Sequence, residues 1–253
     1  MSAIFAIALN TFKETLRDKV FYNLLVFAIL MIGSSVLLGT LTIGEQSKII
    51  KDIGLASIDL FGVLIAIFIG VGLVSKEIEK RTIYTIIAKP VHRYQFLLGR
   101  YLGLVFTMWV NTGVMVTAFC LVLILSGVMP DGGIVKAVGL IAVAQLVILS
   151  AAMLFSTFTT PTLSGIFTLS LYVIGVLAPD LKAMGSKLSG LSQDLVTGIY
   201  YLLPNLALFN VKGEAVHGVP ISVDYMLMTI GYGLMYAALV LLLSCILFQR
   251  RDF

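Results

Sequence analysis

Six stretches of this sequence are long and apolar: residues 21–43, 55–74, 96–128, 134–156, 162–178 and 226–248. Crossing a bilayer core of about 30 Å takes roughly 20 residues of helix, so each stretch is long enough, or nearly so, to span. None alternates with a period of two, which makes a β-barrel a poor reading. Helices remain, because a spanning backbone must satisfy its own amides in hydrocarbon. Composition agrees: 59% of the chain is hydrophobic and only 12% charged, where soluble domains carry about 25% charge. The expected fold is an all-α polytopic membrane protein with six transmembrane helices in a single domain over residues 1–253. The first stretch begins near residue 20 and lacks a small-x-small cleavage site, so it reads as a retained helix rather than a signal peptide.

Positive charge orients the spans. With a cytoplasmic amino terminus, Lys13, Arg17, Lys19, Lys76, Lys80, Arg81, Lys89, Arg93, Arg100, Arg250 and Arg251 fall inside, eleven of the seventeen Lys and Arg residues. Lys48, Lys51, Lys136, Lys182, Lys187 and Lys212 fall outside. Both termini are then cytoplasmic. Residues 194–211, DLVTGIYYLLPNLALFNV, tempt a seventh span, but Pro204 breaks them in the middle. They read as short helices in, or dipping into, the outer leaflet, with Tyr200 and Tyr201 at the interface. Residues 179–224 become an outer cap.

Residues 1–20 carry apolar positions Ile4, Ile7, Ala8, Thr11, Phe12 and Leu16 at helical spacing, with charge gathering at Lys13, Glu14, Arg17, Asp18 and Lys19. This is the pattern of an amphipathic helix on the inner membrane surface, or of a cytoplasmic extension of the first span. The third stretch exceeds a bilayer thickness, so its start protrudes or tilts. Gly99 and Gly103 there form a GxxxG spacing that lets another helix approach closely. Residues 134–156, rich in Ala, Gly and Ser, suggest a helix packed among others.

The usual catalytic motifs are missing. No GxxxxGK[ST], HExxH or GxSxG occurs, and His92 and His217 fall on opposite faces. No catalytic or metal-binding residue is assigned. Asp59 is the charge that stands inside a span, and it reads as a pairing residue ahead of a proton relay. Lys136 can snorkel from the outer end of the fourth span. Thr107, Asn111, Thr112, Thr117, Gln145 and Tyr172 are uncharged polar groups in the spans, more often used to join helices than to line a path. Cys120 and Cys245 read as small buried hydrophobes.

Between the second and third spans lies a charged island, KEIEKRTIYTIIAKPVHR, residues 76–93. As a helix it would line Ile78, Thr82, Ile83, Ile86 and Ile87 on one side. Glu77, Lys80, Arg81, Tyr84 and Lys89 gather towards the other. Glu77 and Arg81 stand in the favourable i,i+4 order, and Pro90 ends the helix. A helix bound only to lipid would carry mostly Lys and Arg, so charge of both signs with exposed Tyr84 favours a protein partner.

The stretch KEIEKRTIYTIIAKPVHRYQFLLGRYLG resembles the first cytoplasmic loop of ABC-2-type transporter permeases. Their pattern is an acidic residue, Thr-[Ile/Leu], Pro-[Val/Ile]-x-Arg, then Leu-Leu-Gly-[Lys/Arg]. It falls here on Glu77, Glu79, Thr82, Ile83, Pro90, Val91, Arg93, Leu97, Leu98, Gly99 and Arg100. The end QRRDF resembles the family's basic tail. YLLPNLALFNV resembles the segment before the last span in the subgroup linked to multicopper-enzyme maturation. Arg81 departs from the family, where Gly often precedes the Thr. The resemblance implies a permease subunit that pairs with a second permease subunit and with separate ABC ATPase subunits, in a bacterial or archaeal cytoplasmic membrane. The loop over residues 75–95 would be a coupling helix touching the ATPase through Lys76, Glu77, Glu79, Arg81, Thr82, Ile83, Tyr84, Ile87, Pro90 and Arg93. Residues 1–20 would be the connecting helix. ATP and Mg would sit on the partner ATPase and no cofactor on this chain; membrane lipid is a partner and nucleic acid is not. The implied function is export driven by ATP hydrolysis elsewhere. A secondary transporter depending on Asp59, or a membrane scaffold holding a soluble partner through the island, are the alternatives. The substrate is not legible in the sequence.

Overall fold

The computed structural model of the chain describes residues 3–41, 44–79, 92–185, 187 and 191–250, with the backbone alone at 73–79, 191, 192, 195, 199 and 250. Every regular element among them is helical. Helix α1 (Ala3–Thr15) leads into α2 (Lys19–Thr40), α3 (Gln46–Glu79), α4 (Arg93–Leu125), α5 (Gly132–Phe158) and α6 (Pro161–Val176). Shorter pieces follow: α7 (Ala178–Gly185), α8 (Leu191–Leu202), a 3-10 turn (Leu206–Phe209) and α9 (Lys212–His217). The last long helix is α10 (Val223–Arg250).

Helices α2, α3, α4, α5 and α10 are each long and apolar enough to cross a membrane. The sixth expected span is α6 together with α7, and the pair bends by 63°. Pro179 has no N–H to extend the α6 ladder and its ring crowds the carbonyl four residues back, so α6 stops and α7 leaves at a new angle. Capping fixes other boundaries. Asp18 accepts the Val20 amide at 2.9 Å to start α2, and Asp131 accepts the Ile134 amide at 3.0 Å to start α5, each satisfying a donor the helix leaves open.

Helix α3 overruns its apolar stretch and stays helical to Glu79. Lys76, Glu77 and Glu79 are sound helix formers, so hydropathy marks where the lipid-soluble stretch ends, not where the helix ends. At 34 residues, α3 is about 51 Å long.

Helix α5 is the centre of the bundle. Its spanning window is 67% buried and that of α3 61%, against 22% for α2 and α10. Small residues such as Ala144, Ser150, Ala151 and Ala152 let neighbours close on α5, and it touches α3, α4, α6, α9 and α10. The outer helices turn Leu30, Leu37, Phe106, Trp109, Leu121, Met228, Met235 and Leu242 outward. Such a belt would aggregate in water; acyl chains solvate it.

Close approach is set by glycine. A Cβ on Gly54 would stand 2.1 Å from the Phe119 ring, and one on Gly70 2.7 Å from the Ala152 Cβ. At the foot of α4, a Cβ on Gly99 would meet the Ile4 carbonyl at 2.9 Å and one on Gly103 the Ala8 carbonyl at 2.5 Å. The expected GxxxG contact is therefore present, and its occupant is α1. Four residues along α4 match four along α1, so the two helices run side by side in one direction. Phe12 then meets Phe106 edge-on, with centroids 4.7 Å apart.

The Pro204 stretch is not a span. Helix α8 has 12 residues, too few to cross, and the chain then descends into the bundle. Leu206, Phe209 and Val211 are buried. Leu206 packs at Gly175 of α6, and the Phe209 ring at Gly233 of α10. Irregular backbone at this depth needs partners. The Asn205 amide donates to the Tyr232 hydroxyl at 2.9 Å. The hydroxyls of Tyr236 and Tyr225 donate to the carbonyls of Leu202 at 3.2 Å and Leu208 at 2.6 Å.

Candidate functional site

The expected coupling residues divide into three groups. Lys76, Glu77 and Glu79 close α3, and Arg93 opens α4. Arg81, Thr82, Ile83, Tyr84, Ile87 and Pro90 lie outside the described residues. What the structure shows is how the helix after the island is held. The Arg93 guanidinium donates to the Gln249 carbonyl at 3.2 Å, meeting the carbonyl end of α10, where a cation is favoured. Phe96 stacks on Phe248, with centroids 6.3 Å apart and planes 20° from parallel. Arg93 is thus turned, in part, to an internal contact.

Arg100 is one of the cations assigned to the cytoplasmic side, and it is only 2% exposed. A long cationic side chain is buried only when paired. Its guanidinium lies 3.8 Å from the Glu14 carboxylate and 5.1 Å from the Phe96 ring centroid. Arg100 therefore joins α1 to α4 one residue past the glycine contact, while Arg93 and Phe96 join α4 to α10. The three helices form one block at the end of the bundle that carries the island.

Polar contacts also hold the far end. Asp59, the intramembrane charge, forms an ion pair with Lys212 at the start of α9. Tyr172 and Asn210 stand beside the pair around a cavity of about 50 Å³. The pairing expected of Asp59 is present, and the partner comes from the segment that descends after Pro204. The half-buried Lys136 donates from its ammonium to the Ile221 carbonyl at 2.7 Å, holding the chain where it enters α10.

Nearer the bundle's tip, Lys51 of α3 pairs with Asp131 at 2.5 Å. Partial burial alone would raise the Asp131 pKa. The Lys51 hydrogen bond, the Ile134 amide, the Lys51 charge and the Gly133 amide outweigh it and hold the carboxyl below its ordinary value. A lowered folded pKa gives stability that is complete above the unfolded value and lost as pH falls through the folded one. Below about pH 4, the ordinary carboxylate range, this contribution fades. Asp131→Asn keeps a good N-cap and is expected to flatten the acid limb of a plot of thermal midpoint against pH; an unchanged limb would remove Lys51–Asp131 from the account.

Between the two ends, Gln145 joins three helices. Its amide donates to the Ile58 carbonyl of α3 at 3.3 Å and its oxygen accepts from Thr112 of α4 at 2.9 Å. The room comes from Gly62, where a Cβ would stand 1.9 Å from the Gln145 amide nitrogen. Thr107 and Thr117 bond carbonyls of their own helix, and the Asn111 amide points to the Met115 sulfur at 3.6 Å. Of the polar groups in the spans, Gln145 and Thr112 thus bond neighbouring helices. Cys120 and Cys245 are half-buried and unbridged. Among the described residues no three His, Cys, Asp or Glu side chains gather as a metal site would require.

No curated protein matches the chain in sequence. The family model for the ABC-2 family transporter protein matches residues 5–253. Six potential crossings and a match over nearly the whole chain agree: the protein belongs to the ABC-2 transporter family and is a multi-pass membrane subunit of an ABC transporter.

Proposed function

We propose that the chain is the membrane half of an ATP-driven exporter, moved by a separate ATPase subunit docked on the charged island, with a second permease subunit completing the pathway. Both termini and the island face the cytoplasm in this reading, and residues 179–224 cap the outer side. The observation that carries it is the unbroken course of α3. One helix runs from Glu79, inside the island, past Asp59 and Lys51 to Gln46. A displacement imposed at the island therefore reaches the capped end along a stiff rod. On the other flank, the Arg93, Phe96 and Arg100 contacts pass the same displacement to α1 and α10. The pairing of Asp59 with Lys212 favours this reading over an ion-gradient transporter, because the carboxylate is engaged in holding the cap segment.

Glu77→Lys tests it. A charge reversal at a protein contact removes roughly 2–5 kcal/mol, so ATPase co-purification is expected to fall at least tenfold, along with stimulated ATP hydrolysis. Arg93 is the poorer probe, since its side chain also holds Gln249. Lys48→Glu, at the opposite end of α3, should leave association intact. If Glu77→Lys changes neither association nor hydrolysis, the island is not the docking site.

A further inference from the structure

Below the foot of α2, a cleft of about 370 Å³ opens between the α1–α2 turn and α3. Glu14, Arg17, Asp18 and Lys19 form its charged side, and Phe68 and Gly72 part of its floor. Its depth follows from α2, whose 22 residues begin at Lys19. That length is about 33 Å, close to a bilayer core of about 30 Å. The Lys19 ammonium therefore stands at the level of the lipid headgroups. Phe68, 55% exposed on α3, faces the acyl chains just inside that level. Among the described residues, a Cβ at Gly72 would meet nothing within 4 Å, which leaves room at the floor.

Among the described residues, Arg17, Lys19 and the buried Arg100 face the carboxylates of Glu14 and Asp18, so the cleft keeps a small positive excess. Glu14 is directed to Arg100 at 3.8 Å, and Asp18 accepts the Val20 amide at 2.9 Å. Arg17 and Lys19 are exposed, with no carboxylate within ion-pair distance among the described residues. Two cations above an apolar floor, at the boundary between headgroups and chains, match a phosphate carrying acyl tails.

We propose that this cleft is a binding site for a membrane phospholipid, with Arg17 and Lys19 holding its phosphate and Phe68 carrying the glycerol and first acyl carbons. A free anion would gain nothing from Phe68. A soluble protein partner would have to reach below the headgroups to fill the floor. The site holds whichever way the bundle is oriented, and it does not rest on ATPase docking.

The test is native mass spectrometry of the full permease released from micelles, with phosphatidylglycerol or diacylglycerol added and inorganic phosphate as competitor. A cation near anionic lipid contributes about 1 kcal/mol. Arg17→Gln with Lys19→Gln is therefore expected to weaken phosphatidylglycerol retention about 30-fold. Gly72→Leu fills the room at the floor without altering charge and should produce a loss of similar size. Diacylglycerol should bind poorly to the parent, and inorganic phosphate should compete weakly. Unchanged thermal midpoints show that the variants fold. Equal retention of diacylglycerol and phosphatidylglycerol overturns the proposal, as does full retention in the double variant. Displacement by millimolar phosphate would make this a soluble-anion site and also overturns it. Lost ATPase association with lipid retention intact would make the cleft a protein contact, with the same consequence.

Discussion

Asp59→Asn is expected to lower the thermal midpoint of the micelle-solubilised permease by roughly 5–10 °C, the equivalent of about 2–4 kcal/mol. The substitution leaves the Lys212 ammonium in place, one-fifth exposed, with its carboxylate gone. Breaking a buried pair costs more than the pair contributes, because the surviving charge stays desolvated. Replacing both residues, Asp59→Asn with Lys212→Met, should therefore recover most of the loss. A charge swap, Asp59→Lys with Lys212→Asp, should recover part of it. The cycle is decisive because the residues lie far apart in sequence and meet only through this contact. If the two single losses simply add in the double variant, the pair does not hold the descending segment.

Gly103→Leu is the second large effect, and it acts at the opposite end. The atom in the way is the Ala8 carbonyl oxygen, 2.5 Å from where a Cβ would stand, and backbone inside a helix has little freedom to yield. Overpacking of this kind costs about 1–3 kcal/mol; here it would be relieved by lifting α1 away from α4. Tryptic cleavage after Lys13 and Arg17 should accelerate at least tenfold while the spanning core stays intact. Gly113→Leu, at a glycine with nothing within 4 Å, is the matched control. Equal cleavage rates in the two variants would mean that α1 is not held by the glycine contact.

The spans were legible because hydropathy reports directly on what a bilayer tolerates, and all six reappear as helices with ends shifted by a few residues, except where α3 overruns. The close contact at Gly99 and Gly103 was legible too, since four-residue glycine spacing describes a helix face. Pro204 correctly argued against a seventh crossing. The partners were not legible. Nothing local links Asp59 to Lys212, or Gln145 to Gly62, because each pairing depends on how separate helices assemble. The burial of Arg100 was not legible for the same reason: it is decided by α1, which lies more than eighty residues away in sequence. One signal was available and went unread. Gly54, Gly62 and Gly70 recur every eight residues within an otherwise bulky stretch; eight residues turn a helix about 80° past two full turns, so Gly54 faces α4 while Gly62 and Gly70 face α5.

The two notches facing α5 limit how the protein can move. Gln145 occupies the notch at Gly62, and Ala152 the notch at Gly70. Sliding α3 by one turn, about 5.4 Å, would bring Ile58 or Ala66 opposite Gln145, and both carry a Cβ. The joint is keyed: α3 and α5 cannot ratchet past one another and must travel as one piece. Any gate in this bundle then opens by swinging that keyed pair against its neighbours, with the lipid-solvated outer helices free to give way.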